Sequence, residues 1–223
     1  MDLDMTPVSK IELKKNRIRA FFHTLETEKK EKGEISEELQ KVEKEGMEYI
    51  QLKLPVERIT DEFENNLRNK IENKIIRANI REAEEKDLDI IKDIYNQAWL
   101  TSNTPFRPID VDTLDKIFKD PDTIFLIGKI YGRDAAFAIL DFEGPNKEYA
   151  IFAGLGVIPK FQRKGLGTIV GMACWNFIKE NHPHVKELRA EVYKNNEVSY
   201  GFIKGLGFEE FGVKRYRKED FED

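Results

Sequence analysis

A chain of 223 residues with 40% hydrophobic and 11% aromatic side chains can bury a real core; it is long for one domain and short for two large ones. Its formal charge of −5 argues against a general nucleic-acid binder, whose footprint is basic. No apolar run approaches the ~20 residues of a membrane helix, and the single cysteine, Cys174, excludes an internal disulfide framework.

The opening Met-Asp-Leu-Asp lacks the basic-then-apolar order of a signal peptide. The expected home is the cytoplasm, with no nucleic acid or membrane as partner. Residues 1–74 read as a charged, mostly helical N-terminal extension. Ile11, Ile18, Phe21, Phe22 and Leu25 recur at roughly helical spacing, and Ser36 is placed to cap a second helix. Tyr49 to Pro55 reads as a short extended piece ended by its proline. Ile59, Phe63, Leu67, Ile71 and Ile75 fall four apart and mark a further helix, with Thr60 or Asp61 as its cap. Such a narrow apolar stripe docks on a main domain or pairs with a second subunit, so a homodimer through these helices or a sheet edge is one expectation.

From Ile75 onward strands and helices alternate. Ile76 to Arg81 reads as a strand, and Leu88, Ile91, Tyr95 and Ala98 mark an amphipathic helix. Two prolines make Trp99 to Pro108 a loop, and Val111 to Phe118 a short helix. Ile124 to Tyr131 and Ala135 to Phe142 form a hairpin turning at Gly132-Arg133-Asp134. Gly144-Pro145-Asn146 then leads into a strand ending near Val157. After Ile158-Pro159-Lys160-Phe161 comes Gln162-Arg163-Lys164-Gly165-Leu166-Gly167. A helix follows, with Leu166, Ile169, Val170, Ala173, Cys174, Phe177 and Ile178 at helical spacing.

Strand, glycine-containing loop and helix N-terminus make an anion site. The first-turn N–H groups point outward, and the helix dipole adds partial positive charge. Gly165 and Gly167 let a diphosphate approach the backbone, and Arg163 and Lys164 add charge at the rim. The P-loop and dinucleotide fingerprints are both absent. On these features the ligand is phosphate-bearing and otherwise unspecified.

Val157 to Gly167 resembles the Gln/Arg-x-x-Gly-x-Gly/Ala motif of the GNAT acetyltransferases. A second block, Leu188-Arg-Ala-Glu-Val-Tyr, then Asn196, then Gly207-Phe208, is similar to the family's later pattern, in the right order. The resemblance spans about Ile75 to Arg217. It implies an α/β (α+β) GNAT fold over 75–223: a mixed, mostly antiparallel sheet splayed at the cofactor site, flanked by helices, with the N-terminal extension beside it. It further implies acetyl-CoA as co-substrate. The diphosphate would sit on the backbone of Arg163 to Thr168, within the set Gln162, Arg163, Lys164, Gly165, Leu166, Gly167 and Thr168. The pantetheine arm would pair along Leu155, Gly156 and Val157. Gly154 and Gly156 suit a bulge or a close approach of backbone to ligand, or are ordinary strand irregularity. The resemblance makes Asn196 a hydrogen-bond partner of the cofactor; it is equally placed to cap the next helix, and the two roles are compatible.

Transfer to an amine needs a neutral nucleophile and a place for its proton. Glu191 stands where ribosomal-protein N-terminal acetyltransferases carry their proposed base; its other reading is a surface glutamate paired with Arg189. Asp141, Glu143 and Glu148 are less well-placed alternatives. The family's acid is a tyrosine four residues before Gly-Phe, a position held here by Ile203. Tyr200, three residues earlier, shares part of that helix face and is the candidate acid, with Tyr193 more distant. The resemblance points to the loop Trp99 to Pro108, with Phe106 and Arg107, and to the last strands at Phe211 to Arg217 as the acceptor grip. The implied activity is acetyl transfer to a protein N-terminus, a lysine or a small amine. The rival is a non-catalytic acyl-CoA-binding regulatory or interaction module, motivated by Ile203. His182 and His184 read as a turn rather than a metal pair, and Cys174 as a packing residue.

Overall fold

The computed structural model describes residues 37–72, 78–101 and 108–221. Seven strands make one sheet: β1 (Met47–Pro55), β2 (Ala78–Glu82), β3 (Thr123–Ile130), β4 (Arg133–Glu143), β5 (Tyr149–Val157), β6 (Glu187–Tyr193) and β7 (Glu209–Tyr216). Among the described residues six α-helices accompany them: α1 (Glu37–Glu45), α2 (Asp61–Glu72), α3 (Leu88–Trp99), α4 (Val111–Phe118), α5 (Leu166–Asn181) and α6 (Glu197–Gly205). The strand order is β2-β3-β4-β5-β6-β1-β7. Every pairing is antiparallel except β5 with β6. The expected mixed, mostly antiparallel sheet flanked by helices is therefore present. Among the described residues no helix is long and apolar enough to cross a membrane.

The helices begin where their caps allow. Thr60 accepts from the Phe63 N–H at 3.2 Å to open α2, and Asp110 accepts from the Thr113 N–H at 2.7 Å to open α4. The β3–β4 hairpin turns on Tyr131 and Gly132, both at positive φ (47° and 76°), the pattern of a two-residue turn that matches strand twist. The turn expected at Gly132-Arg133-Asp134 is thus displaced toward the N-terminus, and Arg133 and Asp134 already belong to β4.

β5 and β6 pair only from Tyr149↔Glu187 to Phe152↔Ala190. Both strands run on, to Val157 and Tyr193, so the sheet splays beyond that point. A bulge marks the place. Leu140 pairs with Phe152 and Ile139 with Gly154, which leaves Ala153 as the extra residue and reverses the side-chain alternation after it. Phe152 therefore points to one face, with α5, α2 and Leu188, while Gly154 and Gly156 point to the other. On that second face a Cβ at Gly156 would lie 2.4 Å from the Phe137 ring and 3.1 Å from Ala98 of α3. The bulge expected near these glycines is present at Ala153, and the neighbours that leave no room for a side chain at Gly156 are Phe137 and α3.

The sheet also crosses the boundary expected between residues 74 and 75. β1 lies between β6 and β7 and pairs with both, burying Leu52 and Leu54 in the core. The physical reason is its alternation: Ile50, Leu52 and Leu54 face inward, as a strand covered on one face requires. α2 joins the same core through Glu64. That buried carboxylate accepts from Trp175 Nε1 at 2.7 Å and Lys179 Nζ at 2.9 Å on α5, and from Arg68 at 3.1 Å. Together these donors hold its pKa below the ordinary value, with the Trp175 bond the largest influence. Ser36 and the apolar stripe from Ile11 to Leu25 lie outside the described residues.

Candidate functional site

The loop after β5 is built to leave backbone donors open. Pro159–Phe161 forms a single 3-10 turn, Arg163 adopts φ 60° and Gly165 φ 86°. The left-handed pair swings the chain into α5, and at Gly165 the absence of a side chain removes the strain. The first bond of α5 runs from the Ile169 N–H to the Gly165 carbonyl at 3.1 Å. The N–H groups of Gly165 to Thr168 precede it, outside the helical ladder, at the positive end of a 16-residue helix. Arg163 and Lys164 are exposed beside them, and Leu166 is buried, so Leu166 offers a ligand only its backbone. The loop thus presents open backbone donors and two exposed cations where the sequence reading expects a diphosphate.

Gln162 plays a different part from its neighbours. Its amide donates to the Val157 carbonyl at 2.9 Å and to Thr101 Oγ1 at 3.1 Å. It thus ties the loop to the end of β5 and to the residues after α3. Gly167 packs toward the Phe202 ring of α6, so α5 and α6 meet at the cradle. Asn196 is buried and caps α6, accepting from the Ser199 N–H at 3.0 Å. The expected capping role is thus present. Leu155, Gly156 and Val157 line the stretch of β5 that has parted from β6.

Across the splay stands Glu191. Leu188, Ala190 and Val192 of β6 are buried and Leu188 lies beside α5, so alternation places Arg189, Glu191 and Tyr193 on the α3 side of the sheet. Glu191 is one residue past the last β5–β6 pair. Its carboxylate accepts from Tyr216 Oη at 2.9 Å and from Gln51 Nε2 at 3.2 Å. The Arg189 guanidinium donates to Glu187 at 2.6 Å and covers the Tyr149 ring at 3.5 Å. Gln51 carried no signal as a site residue in the sequence, and Tyr216 fell in the stretch expected to grip the acceptor rather than beside Glu191. They stand 140 and 25 positions from Glu191, and only strand register brings them together.

The remaining candidates divide. The Tyr200 hydroxyl donates to Glu210 of β7, and that bond to the carboxylate raises the phenol's pKa, a direction opposite to what a ready acid needs. Ile203, at the position of the family's tyrosine, is buried in the core. Cys174 is fully buried, and burial pushes its thiol pKa up, as befits a packing residue. His182 stacks on Phe142 with ring centroids 4.0 Å apart, and burial lowers its pKa. Phe106 and Arg107 lie outside the described residues.

Solved structures share this architecture. A possible acetyltransferase from Clostridium difficile 630 is 20% identical, covers 63% of this chain and 95% of its own, and superposes with a TM-score of 0.52. The ribosomal-protein-S18-alanine N-acetyltransferase from Escherichia coli is 22% identical over 61% of this chain and 80% of its own, with a TM-score of 0.51. PaiA N-acetyltransferase from Thermoplasma acidophilum, in complex with coenzyme A, is 16% identical over 63% and 99%, with a TM-score of 0.52. At such identities the likeness is one of fold. No curated protein matches the chain. The sequence model described as the acetyltransferase (GNAT) family matches residues 89–208, and with more than half of its length so matched, the chain belongs to the GNAT family of acetyltransferases.

Proposed function

We propose that the chain is an acetyl-CoA-dependent N-acetyltransferase acting by direct transfer to a primary amine: a protein N-terminus, a lysine or a small amine. The observation that carries this reading is the place of Glu191, a carboxylate at the mouth of the splay whose opposite wall runs into the diphosphate cradle. The backbone of Arg163 to Thr168 holds the diphosphate, and the freed edge of Leu155 to Val157 orients the pantetheine arm. An incoming ammonium has no lone pair. Glu191 takes its proton, directly or through one water, and so restores the nucleophile. The amine nitrogen then bonds to the thioester carbonyl carbon, the tetrahedral adduct collapses with cleavage of the carbon–sulfur bond, and the surplus proton on nitrogen passes to the departing thiolate, giving the amide and CoA thiol. A thiol pKa of ~8.5 lets the thiolate leave without a dedicated acid. Tyr200, engaged with Glu210, fastens α6 to β7 in this scheme.

The acceptor grip is assigned to the loop bearing Phe106 and Arg107, and a homodimer through the N-terminal helices or the β7 edge belongs to the same proposal, as does a cytoplasmic home. CoA release measured over a panel of amines and peptides tests the activity, and at least one acceptor should turn over well above the rate with water. A second reading rests on Ile203, whose buried side chain fills the position of the family's acid. If acetyl-CoA binds tightly and no acceptor turns over, the non-catalytic acyl-CoA-binding module replaces the enzyme.

A further inference from the structure

Glu191 is gripped by two side chains that the family match does not contain. Gln51 precedes residue 89 and Tyr216 follows residue 208. Gln51 sits directly across from Glu191 in the β1–β6 register and donates to Oε1 at 3.2 Å. Tyr216 reaches over from β7 and donates to Oε2 at 2.9 Å and Oε1 at 3.3 Å. Its ring is buried and stands edge-on to Tyr49 at 5.5 Å, which in turn stands edge-on to Tyr193 at 5.7 Å. A ring wedged in this way cannot swing its hydroxyl aside without repacking three aromatic side chains.

We infer that Gln51 and Tyr216 are positioning residues, which set the plane of the Glu191 carboxylate at the splay and make β1 and β7 part of the catalytic centre. The inference rests on Glu191 being the base. A glutamate carboxylate turns freely about its last torsion. Two donors from different strands remove that freedom, and a hydroxyl donating to a carboxylate is among the stronger neutral-donor bonds. Residues 89–208 alone are then an incomplete active site, since both positioning donors come from outside them.

The test compares Tyr216→Phe, Gln51→Leu and Glu191→Gln, singly and with each of the first two combined with the third. CoA release is followed with the fastest amine of the panel and with water as sole acceptor, and acetyl-CoA affinity is measured by calorimetry. Losing a hydrogen bond to a charged group costs roughly 1.5–3 kcal/mol, so Tyr216→Phe should lower kcat about 10- to 100-fold with the KM for acetyl-CoA unchanged. Gln51→Leu should act in the same sense. In the Glu191→Gln background both should have little further effect, because residues acting through one group are not additive. Wild-type kcat in both single variants, or an equal further loss in the Glu191→Gln background, overturns the positioning role while leaving the base intact. Full turnover in Glu191→Gln, or no CoA release by any form, overturns the base assignment and this inference with it.

Discussion

The two ends of the splay are made in different ways. The β5 side is written in one continuous stretch, in which strand, 3-10 turn, left-handed pair and α5 follow within Tyr149 to Asn181. The β6 side is assembled from three separate segments, since Glu191, Gln51 and Tyr216 arrive on β6, β1 and β7. Only four paired positions join the halves. In the proposed function, cofactor recognition is a local property of the chain, whereas the base is a property of the completed sheet. The difference teaches that a family motif can locate a ligand without locating what arms the chemistry.

The harshest way to break this comparison is to remove the N-terminal segment. A truncation starting at residue 75 deletes β1 from the sheet interior, exposing the facing edges of β6 and β7 and unburying the partners of Leu52 and Leu54. It should fail to give a soluble protein with a cooperative melt by circular dichroism. A soluble, two-state truncation would show that β1 is dispensable and that the halves are less different than the sheet order implies.

Smaller in effect, Gly156→Val probes the cofactor side. A Cβ there already meets the Phe137 ring at 2.4 Å, so the substitution should cost about 3 kcal/mol through overpacking, read as a lowered denaturant midpoint. An unchanged midpoint would mean that Phe137 and α3 yield easily and that the glycine serves the ligand alone.

A milder probe lies at the β2 edge, far from the splay. Arg81 holds buried Asp87 in a two-pronged pair at 2.7 and 2.8 Å, and this bond, the largest cause, brings the Asp87 carboxyl down to about 2. A carboxyl whose folded pKa lies below its unfolded value stabilises the fold above the unfolded pKa, and that stability is lost as pH falls through the folded one. About 2 kcal/mol should therefore disappear between roughly pH 4 and pH 2. The loss should be absent in Asp87→Asn, whose stability is already lower at neutral pH, with acetyl-CoA affinity at neutral pH untouched in both. An Asp87→Asn protein with the same acid profile as the parent would remove this pair from the account.

The same contrast explains what was legible in the sequence. Helical spacing from Leu88 to Ala98 and from Leu166 to Ile178 and the apolar runs around Phe125 and Phe137 gave the elements of the β2–β5 half, because those signals are local. Tyr49 to Pro55 was legible as a short extended piece, ended by its proline. Its slot between β6 and β7 depends on pairing with residues more than a hundred positions away, which no local pattern encodes. The hairpin turn shifted because Tyr131 takes a positive φ that glycine-based reading assigns elsewhere. Tyr200 faced the right side of a helical wheel, but Glu210 on β7 decides where its proton is held.

The most direct test of two separable halves measures acetyl-CoA affinity and kcat side by side in Gly165→Val and Glu191→Gln. Val at a φ of 86° is strained and should distort the cradle, weakening affinity on the order of 10-fold or more through a step of roughly 1–2 kcal/mol. Glu191→Gln should keep affinity within about threefold and lose on the order of 10²–10⁴ in kcat, the usual contribution of a general base. If Glu191→Gln instead loses affinity as steeply as turnover, or keeps its turnover, the division between a binding half and a chemical half is wrong.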